Sequence, residues 1–297
     1  MEVGVVGLGK MGNQIAQKLS DSNFSVFGYD QDQEIINTID HSYHIDNDLI
    51  TLMDRFTSKK IIWLMVPSGE PTNNLVIKLS EIMSQGDIII DGGNSYYKDS
   101  VKNNDICSKK GISFLDCGTS GGVWGLRNGF CLTIGGSEEV YKEIIGIFET
   151  LSTKEAQGGL FVGPSGSGHY VKMIHNGIEY GMMQSIAEGL EILKHKSEYK
   201  LSLDQIVNNW RRGSVVQSWL IDLIAGELSK DSDLEKFSSE VSDSGEGRWT
   251  IKESIDLSVP IPSIYASISQ RFNSKNTNSY AGKILSAMRN AFGGHTN

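Results

Sequence analysis

The chain has 297 residues, 39% of them hydrophobic and 21% charged, with a formal net charge of −9. That length can bury a sizeable core and is expected to divide into two domains. The acidic balance argues against nucleic acid or a membrane surface as a partner. Three cysteines, Cys107, Cys117 and Cys131, lack metal-ligand spacing and read as reduced thiols of a cytoplasmic protein. A strand pattern begins at Glu2, leaving no room for a signal peptide. No apolar run approaches the ~20 residues needed to span a bilayer.

Residues 3–8 read as a buried strand, followed by Gly7-Leu-Gly-Lys-Met-Gly12, a helical pattern over 13–19 and a second strand over 24–29 that ends in Asp30. This is a dinucleotide fingerprint in the context it requires: strand, glycine-rich turn, helix, strand. Gly7 and Gly9 let the backbone turn and approach a pyrophosphate at the helix N-terminus, and Gly12 lets the helix pack against the strand. Gly7, Leu8, Gly9, Lys10, Met11 and Gly12 are therefore candidate cofactor contacts. A carboxylate at the position of Asp30 accepts hydrogen bonds from ribose hydroxyls and repels a 2′-phosphate. Gln31, Asp32, Gln33 and Glu34 supply no cation to hold that phosphate. The expected cofactor is NAD, with NADP as second choice, and no metal is expected.

Residues 60–66 form the next predicted strand, ending at Pro67-Ser-Gly, a loop placed to cover a cofactor through Val66 and Pro67. A helix over 72–84 and a strand over 87–91 lead into Gly92-Gly-Asn-Ser95, at the carboxyl end where parallel sheets bind ligands. This makes Asn94 a candidate. A short strand over 113–117 runs into the glycine-rich segment 118–129, which reads as a long polar loop. Strands over 130–134 and 159–162, with a helix over 138–151 between them, complete the alternation. Two polar glycine-rich loops at strand ends point to a site.

Gly166-Ser-Gly opens a long helical pattern running to about Lys194. At about 3.6 residues per turn, Lys172, Asn176 and Glu179 share one face, Glu179 only about 20° round from Lys172, and His175 borders the stripe. Val171, Ile174, Ile178, Met182 and Ile186 lie to the side, and the helix is expected to be buried along them. An amine, an amide and a carboxylate aligned on a rigid element suggest a polar site. Strand patterns then cease. Helices are expected over 201–211, 217–229, 248–257, 261–272 and 279–292, with Trp210, Trp219 and Trp249 as helix contacts. The fold class is thus an α/β Rossmann-like N-terminal domain (1–164) plus an all-α C-terminal domain (165–297).

With the fingerprint, Asp91-Gly-Gly-Asn-Ser95, Gly118-Thr-Ser-Gly-Gly122 and Lys172-Met-Ile-His-Asn-Gly-Ile-Glu-Tyr180 in this order, the chain resembles the 6-phosphogluconate dehydrogenases, in their short form. The resemblance implies oxidative decarboxylation of 6-phospho-D-gluconate to D-ribulose 5-phosphate, a step of the pentose phosphate pathway. It gives Lys172 the role of general base and then acid, Glu179 that of second acid, and Asn176 a place in the catalytic group. It places Asn94, Ser120, Gly121, Gly122, His175 and Tyr180 on the substrate, Arg271 on its phosphate, and Arg289 and His295 on the phosphate and a hydroxyl. The last two belong to a tail, Met288-Arg-Asn-Ala-Phe-Gly-Gly-His295, that completes a neighbouring subunit's site, so a homodimer or tetramer is implied. The chain departs from the long-chain enzymes at Ser244 and Glu246, which stand where those carry a Lys and a Thr that help hold the phosphate; Arg248 is a candidate substitute charge. The alternative activity is that of a non-decarboxylating β-hydroxyacid dehydrogenase acting on another sugar acid.

Overall fold

Short apolar runs separated by helical periods produce an alternating α/β arrangement over the first half of the chain. The computed structural model describes residues 1–39, 41–155 and 158–293. They fall into two compact units, Met1–His175 and Asn176–Asn297. The first unit opens with β1 (Glu2–Val6), α1 (Lys10–Asp21), β2 (Ser25–Tyr29), α2 (Gln33–Thr38), β3 (His44–Ile45), α3 (Leu49–Asp54), β4 (Ile61–Leu64) and α4 (Glu70–Ile82). It continues with β5 (Ile88–Asp91), α5 (Tyr97–Ser108), β6 (Ser113–Ser120), α6 (Gly125–Asn128), β7 (Cys131–Gly135), α7 (Glu138–Glu143), α8 (Ile145–Leu151) and β8 (Leu160–Gly163). The strands form one eight-stranded sheet in the order β3-β2-β1-β4-β5-β6-β7-β8. Neighbours are parallel except β6 and β7.

The central strands are continuously apolar because both faces are covered. On one face Ile15, Leu19, Trp63, Phe130 and Phe148 are buried together. On the other, Leu52, Ile62, Val76, Leu79 and Phe114 form a second cluster. Each such side chain contributes about 1.5–3 kcal/mol of burial.

Several elements differ from the sequence reading. Residues 118–120, expected in a loop, extend β6 and pair with β7, Ser120 opposite Cys131. The single helix expected over 138–151 breaks at Ile144, whose φ of −111° and ψ of 20° are not helical. Helix α5 was not anticipated because the residues it buries are Ser100, Asn103 and Cys107, two of them polar. Asn103 is satisfied there by donating to Asn73 Oδ1 at 2.9 Å. Hydrophobic periodicity cannot register such a face.

A long helix, α9 (Ser167–His195), carries residues of both units. The second unit adds α10 (Leu203–Trp210), α11 (Trp219–Leu228), α12 (Glu246–Asp256), α13 (Pro262–Ser274) and α14 (Tyr280–Gly293). Val207, Ile221, Ala225 and Leu228 make its core, with Ile186, Leu190 and Trp210 packed against them. Trp219, expected as a helix contact, is 48% exposed.

The expectation that α9 buries its apolar side is corrected in part: Ile174 and Ile186 are half-buried, but Val171, Ile178 and Met182 are exposed, Ile178 by 52%. The residues buried instead are Met173, Asn176, Gly177 and Tyr180. Gly177 is the cause for the second unit, since a Cβ there would meet Thr250 Cγ2 at 2.9 Å. Its absence lets α12 approach closely, and α9 turns that face inward. Among the described residues no helix is long and apolar enough to cross a membrane.

Candidate active site

The turn after β1 has the form its glycines permit. Gly7 has φ +93°, and a Cβ there would lie 2.4 Å from Met65 O. A Cβ on Gly12 would stand 1.8 Å from Gly7 O, so α1 can pack against the turn only through a glycine. A Cβ on Gly9 would meet nothing within 4 Å. That open side faces a groove of about 820 Å³, which Gly7, Gly9, Lys10, Met11 and Gly12 line together with Asp30, Val66, Pro67 and Asn94. Leu8 enters differently: its side chain is buried in the core, and its backbone N–H donates to Asp30 Oδ2 at 2.7 Å. Asp32 N donates to Asp30 Oδ1 at 2.9 Å. Two main-chain donors thus fix the carboxylate at the groove, leaving further lone pairs for a ligand.

The groove has a wall that the sequence reading did not assign. Pro71, Asn74, Leu75 and Lys78 of α4 line it, at the spacing i, i+3, i+4, i+7 that marks one helix face. That signal was present in the sequence. It brings a second cation, Lys78, to the groove beside Lys10. The loop before α4 is fixed by Thr72 Oγ1, which donates to Pro67 O at 2.8 Å.

The residues toward Lys172 lie at the carboxyl ends of β5 and β6. Asp91 and Asp116 are cross-strand neighbours, and both are fully buried. Asp91 Oδ1 accepts the Gly93 N–H at 3.1 Å, shaping the turn that carries Asn94. Asp116 receives the start of α9, its Oδ1 accepting the Gly166 N–H at 2.6 Å and its Oδ2 the His169 N–H at 2.9 Å. Lys172, half-buried, lies against Gly118, where a Cβ would come within 2.5 Å of the Lys172 Cβ. Gly121 (φ +140°) and Gly122 (φ +52°) continue from β6 in conformations that favour glycine. Ser120 is the strand's last residue. His175 is exposed.

In the second unit, Asn176 is buried and Glu179 half-buried. Tyr180 is buried, with the Arg271 guanidinium 3.6 Å from its ring centroid. Arg271 Nη1 also donates to Ser242 O at 2.6 Å. The departing loop is ordered around the same tyrosine. Ser244 N donates to Tyr180 Oη at 3.2 Å, and Ser244 Oγ donates to Glu246 Oε2 at 2.7 Å. Glu246 is only 1% exposed, and its Oε1 has no hydrogen-bond partner among the described residues. Arg248, the candidate substitute charge, is held by Asp243, with Nε and Nη2 donating at 2.8 and 2.9 Å. That pair holds the Asp243 carboxyl below the usual carboxylate range. Arg211 and Arg212 both reach Asp222 Oδ1, at 2.7 and 3.2 Å. Arg289 is exposed on α14. His295 lies outside the described residues. Among the described residues no group of three or more His, Cys, Asp or Glu could hold a metal ion.

Comparison with known proteins gives the family. Residues 2–159 match the model of the NAD binding domain of 6-phosphogluconate dehydrogenase, and residues 168–287 match its C-terminal domain. The chain is 38% identical over 297 residues to YqeC of Bacillus subtilis, covering 99% of this chain and 98% of that one. It is 36% identical over the same length, at the same coverage, to the Haloferax volcanii 6-phosphogluconate dehydrogenase, named as NAD(+)-dependent and decarboxylating. Among solved structures, Plasmodium falciparum 6-phosphogluconate dehydrogenase, described with NADP+ and with 6-phosphogluconate, superposes with a TM-score of 0.83 at 28% identity. That match covers 99% of this chain and 65% of the longer one. Matched in both of its units and by relatives of its own length, the chain belongs to the 6-phosphogluconate dehydrogenase family of oxidoreductases.

Proposed function

We propose that the protein oxidatively decarboxylates 6-phospho-D-gluconate to D-ribulose 5-phosphate and CO2 with NAD as oxidant, as a cytoplasmic enzyme of the pentose phosphate pathway. The observation that carries this reading is Lys172, seated against Gly118 at the end of β6 beside Ser120, Gly121 and Gly122. The decarboxylating, NAD(+)-dependent name of the Haloferax volcanii relative supports it. Residues 1–164 take the dinucleotide, and residues 165–297 hold substrate and form the subunit contact.

The fit of a dinucleotide is supported by the open side of Gly9 and by the anchored Asp30 carboxylate at the groove. Gly7 to Gly12 would take the pyrophosphate, Asp30 a ribose, and Val66, Pro67 and Asn94 the remainder. NAD bound there supplies the acceptor for the hydride leaving C3 of the sugar acid. Lys172 takes the C3 hydroxyl proton as that hydride departs, which requires the neutral amine. The β-keto acid then loses CO2, and the protonated Lys172 stabilises the charge gathering on the C3 oxygen. Glu179 delivers the proton that C1 of the enediol requires. Asn176 and His175 orient the reacting carbons, and Asn94, Ser120, Gly121, Gly122 and Tyr180 complete the sugar-acid contacts. Arg271 takes the phosphate; Arg289 and His295 of a neighbouring subunit add to it in a homodimer or tetramer. The exposed apolar side of α9 and the exposed Ile284, Leu285 and Met288 of α14 support that assembly.

Turnover of 6-phosphogluconate against unphosphorylated gluconate tests the substrate. An Arg271→Ala variant should raise KM for the phosphorylated acid by about tenfold or more, the size of a lost charge-assisted hydrogen bond, while leaving gluconate turnover unchanged. Equal use of both acids by the unaltered enzyme would contradict the assignment.

A further inference from the structure

We propose that Asp116 is the positioning residue that sets Lys172 in register with the 118–122 segment, an inference that rests on the reading of Lys172 as the base. A helix begins with backbone N–H groups that have no partner within it. Usually a neighbouring Ser, Thr or Asp satisfies them, which orders the helix but ties it to nothing else. In α9 the partner is Asp116 on β6, 50 residues from Gly166 and 53 from His169. Both carboxylate oxygens are used, one for each amide, and the side chain is fully buried. Negative charge at this end of a helix is electrostatically favourable.

The first turn of α9 also lies close against the backbone of β6 and β7. A Cβ on Gly168 would lie 2.4 Å from Asp116 O and 2.6 Å from Thr133 O. Thr133 Oγ1 on β7 donates to Gly168 O at 3.1 Å, a second clasp on the same turn. From Asp116 the strand runs two residues on to Gly118 and then to Ser120. From His169 the helix runs three residues on to Lys172, whose Cβ meets that same Gly118. One carboxylate therefore joins the two chain segments that bring the base and the end of β6 together. The position demands two acceptors and no donor. Asparagine would satisfy one amide and set its own N–H groups against the other.

The test compares Asp116→Asn and Thr133→Val with the unaltered enzyme in turnover, NAD binding and thermal unfolding. A misplaced base costs turnover steeply: kcat should fall about thirtyfold in Asp116→Asn and about fivefold in Thr133→Val, with the Kd for NAD within about twofold of the unaltered value. The split is expected because none of Asp116, Thr133, Gly166, Gly168 and His169 lines the groove. A folded Asp116→Asn with unchanged kcat would overturn the proposal, as would parallel losses of kcat and NAD binding, the mark of general damage. If Asp116→Asn does not fold, Thr133→Val decides alone by the same criteria. An unaltered enzyme that turns over no 6-phosphogluconate would instead overturn the dehydrogenase reading and this inference with it. Normal turnover by the unaltered enzyme with unchanged variants would remove only the role of Asp116.

Discussion

Lys172 and Asp30 carry the proposed chemistry and the proposed cofactor choice, and each can be altered without touching the core. Lys172→Met keeps the aliphatic stem that packs by Gly118 and removes the amine. Turnover should fall by about 10²–10⁴-fold, the usual worth of a general base, with NAD binding by calorimetry unchanged. Near-normal turnover would sink the mechanism. Asp30→Ala removes the acceptor and the negative charge that would face a 2′-phosphate. The ratio of kcat/KM for NADP to that for NAD should rise by about tenfold, and a ratio that stayed put would count against the assignment. At this scale the sequence was informative where the chemistry depends on short spacings, as in the fingerprint ending at Asp30. It was less informative where partners are distant. Nothing near Asp116 in sequence announces that its carboxylate receives amides from residues 166 and 169. The α4 stripe of Pro71, Asn74, Leu75 and Lys78 was legible as a helix face, but only the structure places that face on the groove.

Among the elements, the turn between β1 and α1 separates stability from binding. Gly12→Ala places a Cβ 1.8 Å from Gly7 O, so denaturant unfolding should show a loss of about 1–3 kcal/mol, the usual cost of overpacking. Gly9→Ala, with open space around the new methyl group, should leave unfolding unchanged while weakening NAD binding. The loop before α12 depends on acid in a direction the Asp243–Arg248 pair fixes. The folded Asp243 carboxyl titrates below its unfolded value because Arg248 donates to it. Its stabilisation is therefore complete above the unfolded value of about 3.9 and is lost as pH falls through the folded one. The stability difference between the unaltered protein and Arg248→Met should be present at neutral pH and vanish in strong acid. Helix α5 and the inward face of α9 show why element-level reading has a limit. Ser100, Asn103 and Gly177 are buried by hydrogen bonding or close approach of a neighbouring element, neither of which an apolar pattern records.

For the whole molecule, the alternating first half and helical second half followed from the change in period at Gly166, and apolar side chains of α9 and α14 are exposed in the single chain. Sedimentation equilibrium should give a dimer or a larger assembly; a monomer at working concentration would contradict the shared site. Removing residues 280–297 should abolish turnover while leaving NAD binding by the first unit intact. Cys107 and Cys117 are buried, with the Cys107 thiol pushed up to about 12 by burial, while Cys131 is exposed. A thiol reagent should modify Cys131 in the native protein and reach the other two only on unfolding. The most direct test of the central claim is to supply 6-phosphogluconate with NAD, and in parallel with NADP, and to measure reduced cofactor and released CO2 in the same reaction. Equal amounts of reduced cofactor and CO2, formed faster with NAD, are the predicted result; reduced cofactor without CO2, or no reduction with either nucleotide, would contradict it.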